Sequence, residues 1–366
     1  MTDPRTRLLA LAIQRASFLR AEERLKLWDI VDDTARLSVL SLRDLEALLG
    51  RRLEGRHWDP IALLEQAEED AALLDRLGAR FIQFDESDYP PLLRETAKPP
   101  FGLYARGVML RPESPAVAIV GTRMPTGRGL QTARSLAREF SAAGLTVISG
   151  LARGIDAAAH RGALDAAARR PYSGGVKASV SAFPGSGAGL TCAVLPCGID
   201  SAYPLSNRAL AAAILDSGGL LLSEYPPGTD IQKYRFPERN RIIAGVARSC
   251  VVVEAPLGSG ALITAGEALG EGRDLWVAAA CLGGSRSGGI DRLAAEGAPR
   301  LSAASEMFAD WGMASGPLAD AQDKAPTESR QDFFGAAASN EGRRLAASLR
   351  SELDLGSDLR ERALTV

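Results

Sequence analysis

The chain has little histidine, little cysteine and no long apolar run. Only His57 and His160 occur in 366 residues, so a histidine-rich metal cluster or a conventional nucleophile–histidine–carboxylate triad is hard to assemble. The four cysteines, Cys192, Cys197, Cys250 and Cys281, form no Cys-x-x-Cys pair, and three sit in or beside apolar runs. They read as buried, reduced thiols of a cytosolic protein. No apolar stretch approaches the ~20 residues that span a bilayer. The opening MTDPRTRLLALAIQR lacks the apolar core of a secretory signal. Lysine is also scarce, at positions 26, 98, 177, 233 and 324 only, and the formal net charge is −2. That balance excludes a protein that coats duplex DNA by charge alone, so any nucleic-acid site must be a focused patch. Two nucleotide signatures are missing as well. The first candidate strand is followed by GTRMPTGRG, not Gly-x-Gly-x-x-Gly, and there is no Gly-x-x-x-x-Gly-Lys-Ser/Thr. No cofactor and no metal are therefore expected.

One focused patch stands out. Residues 233–248, KYRFPERNRIIAGVAR, carry Lys233, Arg235, Arg239, Arg241 and Arg248 against the single acid Glu238. Tyr234 and Phe236 interleave with these cations. Cations that follow phosphates, beside rings on which bases stack, suit a groove for single-stranded nucleic acid. A solvated amphipathic helix is the plainer reading of the same run.

The length allows two or three domains. Residues 1–80 read as a helical domain of the sterile-alpha-motif or helix-hairpin-helix kind. Its leucine stripe runs through Leu37, Leu40, Leu42, Leu45, Leu48 and Leu49, with Ser41 as an N-cap. Residues 81–112 are proline-punctuated and read as extended segments docked on a larger unit. From 113 to 312, short apolar runs alternate with amphipathic stretches. Candidate strands are 116–120, 146–149, 192–195, 220–223, 250–254 and 274–279, and candidate helices start near 129, 154, 206, 237 and 261. This pattern predicts an α/β, Rossmann-like, doubly wound and mostly parallel sheet. Within it, 170–190 is rich in Gly, Ser and Pro and reads as an insertion. Residues 313–331 read as a linker. The tail 332–366 has one plausible helix and is too short for a robust core.

Ligands of such sheets sit beyond the carboxyl ends of the strands. Five segments fall there: Gly121-Thr-Arg123, Gly150 to Asp156 with Arg153 and Gly154, Pro196 to Asp200 with Tyr203-Pro204, Ser223 to Pro226, and Gly258-Ser259-Gly260. Glycine at a helix N-terminus lets backbone N–H groups approach an anion, and arginine grips phosphate with two hydrogen bonds. Asn240 and Glu238 are expected to fix Arg239 and Arg241. Asp156 and His160 stand four residues apart, on one helix face. Glu224 and Glu254 end strands near the same edge, where they would orient arginines. A pair of free carboxylates there would instead suit N-glycosidic hydrolysis.

Taken in order, several stretches resemble the DNA-processing protein A family, also called Smf. They are YPPLLRETAKPPFGLYARG (89–107), VAIVGTR (117–123), VISGLARGIDAAAHRGAL (147–164), CAVLPCGIDSAYPLSNRAL (192–210), GGLLLSEYPPG (218–228), FPERNRIIAG (236–245) and VVVEAPLGSGALITAGEALGEGR (251–273). The resemblance implies a non-enzymatic, cytoplasmic single-stranded DNA-binding protein that loads RecA recombinase in natural transformation. It implies a homodimer, with single-strand-binding protein as a further partner. By similarity, DNA contacts fall on Arg123, Lys233 and Phe236. Arg153, Gly154, Gly121, Tyr234, Arg239, Asn240, Arg241 and Gly258-Ser259-Gly260 join them from the reading of the residues. The family's late Gly-x-Asn stretch appears here as Gly289-Ile290-Asp291, with Asp in place of Asn and a departure from the usual proline-glycine pattern before it, and the resemblance makes Ile290 and Leu293 candidates for the dimer or partner surface. A winged-helix-like module, common in relatives, is reduced or divergent here. A phosphoribohydrolase-like enzyme on the same fold is the alternative, but the turn it needs reads Pro256-Leu-Gly-Ser-Gly-Ala here and lacks its glutamate.

Overall fold

The computed structural model describes residues 4–110, 115–168 and 191–313. The expected insertion, the linker beyond 313 and the tail with its reduced module lie outside the described residues. Five helices come first: α1 (Pro4–Arg15), α2 (Ala21–Ile30), α3 (Thr34–Val39), α4 (Leu42–Leu49) and α5 (Pro60–Leu77). Local chemistry sets their ends. Asp33, Ser41 and Asp59 accept backbone N–H bonds as N-caps, and Ser41 forms a reciprocal capping box with Asp44. Pro60 opens α5, where its missing N–H costs nothing.

Then follow β1 (Ala79–Gln83), α6 (Pro91–Arg94), β2 (Gly102–Gly107), β3 (Ala116–Val120), α7 (Gly127–Ala142), β4 (Thr146–Ser149) and α8 (Ile155–Ala168). The chain continues through β5 (Thr191–Leu195), α9 (Arg208–Asp216), β6 (Leu220–Ser223), α10 (Arg235–Val246), β7 (Ser249–Val252) and α11 (Gly260–Gly270). It closes with β8 (Asp274–Ala278), α12 (Gly288–Ala295), β9 (Arg300–Leu301) and α13 (Ala304–Asp310). Among the described residues nine strands form one sheet in the order β1-β2-β6-β5-β4-β3-β7-β8-β9. From β6 to β9 every pairing is parallel, while β1–β2 and β2–β6 are antiparallel. The extended segments expected in 81–112 are thus strands of the sheet itself.

Strands β3, β5 and β7 are buried along their whole length, which is why they read as unbroken apolar runs. Helices α7, α8 and α9 pack side by side on one face, and α10 against α11 on the other, as right-handed crossovers in opposite directions require. The N-terminal helices do not stand apart. Leu11, Leu27, Leu45 and Leu74 share a core with Phe101 and Tyr104 of the sheet region. Helix α1 also reaches the loop after β6, where Gln14 Nε2 donates to the Glu224 carbonyl at 2.6 Å and Arg15 donates to the Pro227 carbonyl at 3.0 Å. Arg15 is itself held by Asp70 of α5 at 2.7 Å.

All four cysteines are buried and unpaired, and burial pushes the Cys250 thiol up to about 12. Among the described residues no helix is long and apolar enough to cross a membrane, and no group of three His, Cys, Asp or Glu is placed to hold a metal.

Candidate nucleic-acid interface

The sheet reverses direction at β3, which has β4 on one side and β7 on the other. Helices leaving the two sides cover opposite faces, so a crevice opens at the carboxyl ends of β3 and β7. A cavity of about 380 Å³ fills it. Gly121 to Arg123 form one wall, Phe236 and Asn240 of α10 another, and Ser259 and Gly260 at the start of α11 a third. Asp156, in the first turn of α8, also lines it.

Arg123 and Phe236 line it, and further cations and rings stand near these two in sequence or in contact with Phe236. Arg123 is exposed, with its guanidinium 4.8 Å from the centre of the Phe236 ring. Tyr203 packs edge-on against the other side of this aromatic wall, with 5.8 Å between ring centres. Lys233 is exposed, and Tyr234 beside it is 56% exposed with Arg235 over its ring at 5.5 Å. Arg153 is exposed just before α8. Among the described residues Arg123, Arg153 and Lys233 pair with no carboxylate, so their charge is free for an anion.

The floor is rigid. Leu151 has φ +56°, a backbone conformation that costs a non-glycine residue about 1 kcal/mol or more. The buried Asn207 amide holds it there, donating to the carbonyls of Leu151 at 2.9 Å and Ala152 at 3.2 Å. Below lies Arg239, 3% exposed, donating to the Gly150 carbonyl at 2.6 Å and to that of Val194. Burial lowers this guanidinium to about 10, so it keeps its charge at neutral pH.

Several expected contacts take other roles. Arg239 is an internal brace, 3% exposed at the foot of the cavity it lines. Arg241 is half-buried and spent inside the protein, on the Glu224 carboxylate and on the Lys98 carbonyl at 2.8 Å. Glu238 accepts the Tyr225 hydroxyl at 2.9 Å and fixes neither arginine, while Asn240 donates to the Gly260 carbonyl at 3.4 Å across the cavity. Ile290 and Leu293 are 0% and 1% exposed on the inner side of α12 and belong to the core, not to a partner surface. Glu254 is buried and accepts the Thr126 N–H at 2.8 Å and its hydroxyl at 2.5 Å, so it fastens the start of α7 and orients no arginine. His160 is fully buried against Thr191. Tyr203, in the third of the ligand-edge segments, supplies a further ring against Phe236.

Gly121 and Gly260 are glycines for different reasons. A Cβ on Gly121 would stand 2.5 Å from Ile155 Cγ1 and 2.8 Å from the Glu254 carbonyl oxygen. Gly121→Ala is therefore expected to cost about 1–3 kcal/mol of stability by overpacking. An unchanged urea midpoint would show that the β3–α8 contact yields freely. A Cβ on Gly260 would meet nothing within 4 Å, so packing does not require this glycine.

Comparison with known proteins supplies the rest. The profile of the family described as DNA recombination-mediator protein A matches residues 80–312. Protein Smf of Synechocystis is 38% identical over 236 residues, covering 63% of this chain and 51% of that protein. The chain thus spans about half the length of that relative. The X-ray structure of DNA processing protein A from Streptococcus pneumoniae superposes with a TM-score of 0.62 at 29% identity, covering 82% of this chain and 97% of that one. DNA processing protein A of Helicobacter pylori, whose structure describes a single-stranded DNA binding mode, gives a TM-score of 0.50 at 24% identity over 63% of this chain and 95% of that one.

Proposed function

The chain belongs to the DNA recombination-mediator protein A family, and from that premise we propose that it binds single-stranded DNA across the crevice and presents it to a RecA-type recombinase. One observation carries the reading: Arg123 and Phe236 wall the cavity, Tyr203 packs against that ring, and the exposed cations Arg153 and Lys233, without carboxylate partners among the described residues, stand one and three positions from its lining in sequence. Cations at the mouth follow the phosphates, and the rings meet unstacked bases. Tyr234, Asn240 and the turn Gly258-Ser259-Gly260 complete the contact set. The DNA binding described for the Helicobacter relative agrees with this use of the fold. Duplex binds less well, because its bases are already stacked and cannot reach Phe236.

A second copy of the chain, RecA and single-strand-binding protein are the proposed partners, and the cytoplasm the proposed location. Two subunits on one strand, or on two, multiply the affinity and bring strands together. A hydrolase acting at an N-glycosidic bond is the weaker reading. The two carboxylates it would use, Glu224 and Glu254, are engaged by Arg241 and Thr126.

Fluorescence anisotropy of a labelled oligonucleotide and its duplex across a salt series tests the proposal. Tight single-strand binding that weakens with salt, with poorer duplex binding, is expected. No binding at low salt would overturn it. RecA filament growth on DNA covered by single-strand-binding protein, with and without this protein, tests the loading step. Gly260→Ala separates binding from folding. It should leave unfolding free energy within about 0.5 kcal/mol of wild type while weakening strand binding several-fold, because the new methyl stands where the backbone would meet the strand.

A further inference from the structure

We infer that Asp156 reads the base of a strand held in the cavity, accepting a hydrogen bond from an exocyclic amino group and so favouring cytosine over uracil or thymine. The inference rests on the single-strand reading and adds a specificity to it. Asp156 is 6% exposed, and its Oδ2 accepts the N–H groups of Gly150 at 3.1 Å and Ala152 at 3.3 Å. Its Oδ1 accepts from nothing among the described residues, although the residue lines the cavity. Oδ1 is not among the sealed polar atoms of the interior, so it is open to a donor that enters the cavity.

The backbone of DNA offers no such donor. Phosphodiester and deoxyribose oxygens within a strand only accept, and phosphate repels a carboxylate. The partner of Oδ1 must come from a base. Cytosine presents N4–H₂, the group that aspartate and glutamate accept from in DNA recognition. Uracil and thymine present a carbonyl at the same place. Their one donor, N3–H, is flanked by two carbonyl oxygens that face a carboxylate unfavourably. Phe236 supplies the ring beside the base, and Asn240 stands across the cavity.

Burial raises the Asp156 carboxyl above the ordinary aspartate range, and Arg239 beneath, the Ala152 and Gly150 N–H groups and Arg123 act against that shift. Arg239 cannot swing out to neutralise the carboxylate, because its Nη1 is held by Gly150 and Val194.

The test compares oligo-dC with oligo-dU of one length, which differ only at position 4 and its neighbouring ring nitrogen. Anisotropy titrations of the full chain are expected to give about tenfold tighter binding of oligo-dC, the worth of one hydrogen bond to a charged acceptor. In Asp156→Asn the side-chain carbonyl can keep the Gly150 and Ala152 N–H groups and turn its amide NH₂ to the cavity. The preference should then reverse toward oligo-dU. Circular dichroism and thermal melting check that the variant is folded, and the wild-type comparison needs no variant. Equal binding of the two strands by wild type, or an unchanged preference in a folded Asp156→Asn, would overturn the base reading alone. If neither strand binds, the single-strand reading fails and takes this inference with it.

Discussion

Replacing Arg123, Arg153 and Lys233 together by alanine is expected to lower affinity for a single strand about a thousandfold at low salt, about tenfold for each charged contact. The slope of log affinity against log salt should flatten by about 2 units, since each phosphate neutralised on a single strand contributes about 0.7. These side chains are exposed and form no ion pair among the described residues, so their loss opens no cavity; only Arg123 acts on a buried carboxylate, that of Asp156. Unfolding free energy should stay close to that of wild type, and the loss should be similar for every sequence. A variant whose salt slope is unchanged would place the phosphate track elsewhere on the molecule. Arg241→Ala is the informative contrast. It leaves Glu224 without its guanidinium, so it should disturb the loop after β6 and the fold before it alters the salt slope.

Acid should weaken the fold through His160. Its Nδ1 lies 2.7 Å from Thr191 Oγ1, and that hydroxyl donates to the Val147 carbonyl at 2.7 Å. The hydroxyl proton is committed, so Nδ1 carries a hydrogen and donates, and Nε2 is left as a buried nitrogen without a partner. Protonating Nε2 would place a charge in the interior beside Arg239. Burial first, and then Arg239 and Arg161, lower the imidazole to about 3. The unfolded chain takes the proton near pH 6.5, and the native state does so only near pH 3. Below pH 6.5 the unfolded state therefore binds more protons, and stability falls by about 1.4 kcal/mol per pH unit, about 5 kcal/mol by pH 3. Asp156 acts in the opposite sense, since its raised pKa lets the native state bind a proton first as pH falls. The difference between wild type and His160→Gln isolates the imidazole. Urea unfolding at pH 7 and pH 4.5 should show wild type losing more stability than the variant. Equal losses would mean that the imidazole is charged in the native protein.

Much of this could be read from sequence, for a physical reason. Strands β3, β4 and β6 fall where the apolar runs placed them, because a strand covered on both faces carries no polar interruption. Strands β1 and β2 were seen only as extended segments, since prolines between them look like a linker and their hydrogen bonds join distant parts of the chain. Helices α12 and α13 and strand β9 are too short to show a period. Arg123 and Phe236 lie against each other, because strand ends and helix starts converge on one edge of this topology. Arg239 is buried, and the sequence carries the signal for that. It begins a stripe with Ile242, Ile243 and Val246 at helical spacing, and all four are buried. Charge alone suggested solvent, while position on the stripe placed the residue inside. Ile290 and Leu293 carry the same lesson, since an apolar pair three residues apart on a short helix faces its own core before it faces a partner.

The family profile begins at residue 80, but the groove does not stand on that segment alone. Gln14 and Arg15 of the first helix hold the carbonyls of Glu224 and Pro227, in the loop that delivers Lys233 and Tyr234. Divergence in this family can therefore act at a distance. On the proposed reading, a change in this first helix shifts the loop that carries Lys233 and Tyr234, so relatives with the same groove residues differ in how firmly they hold a strand.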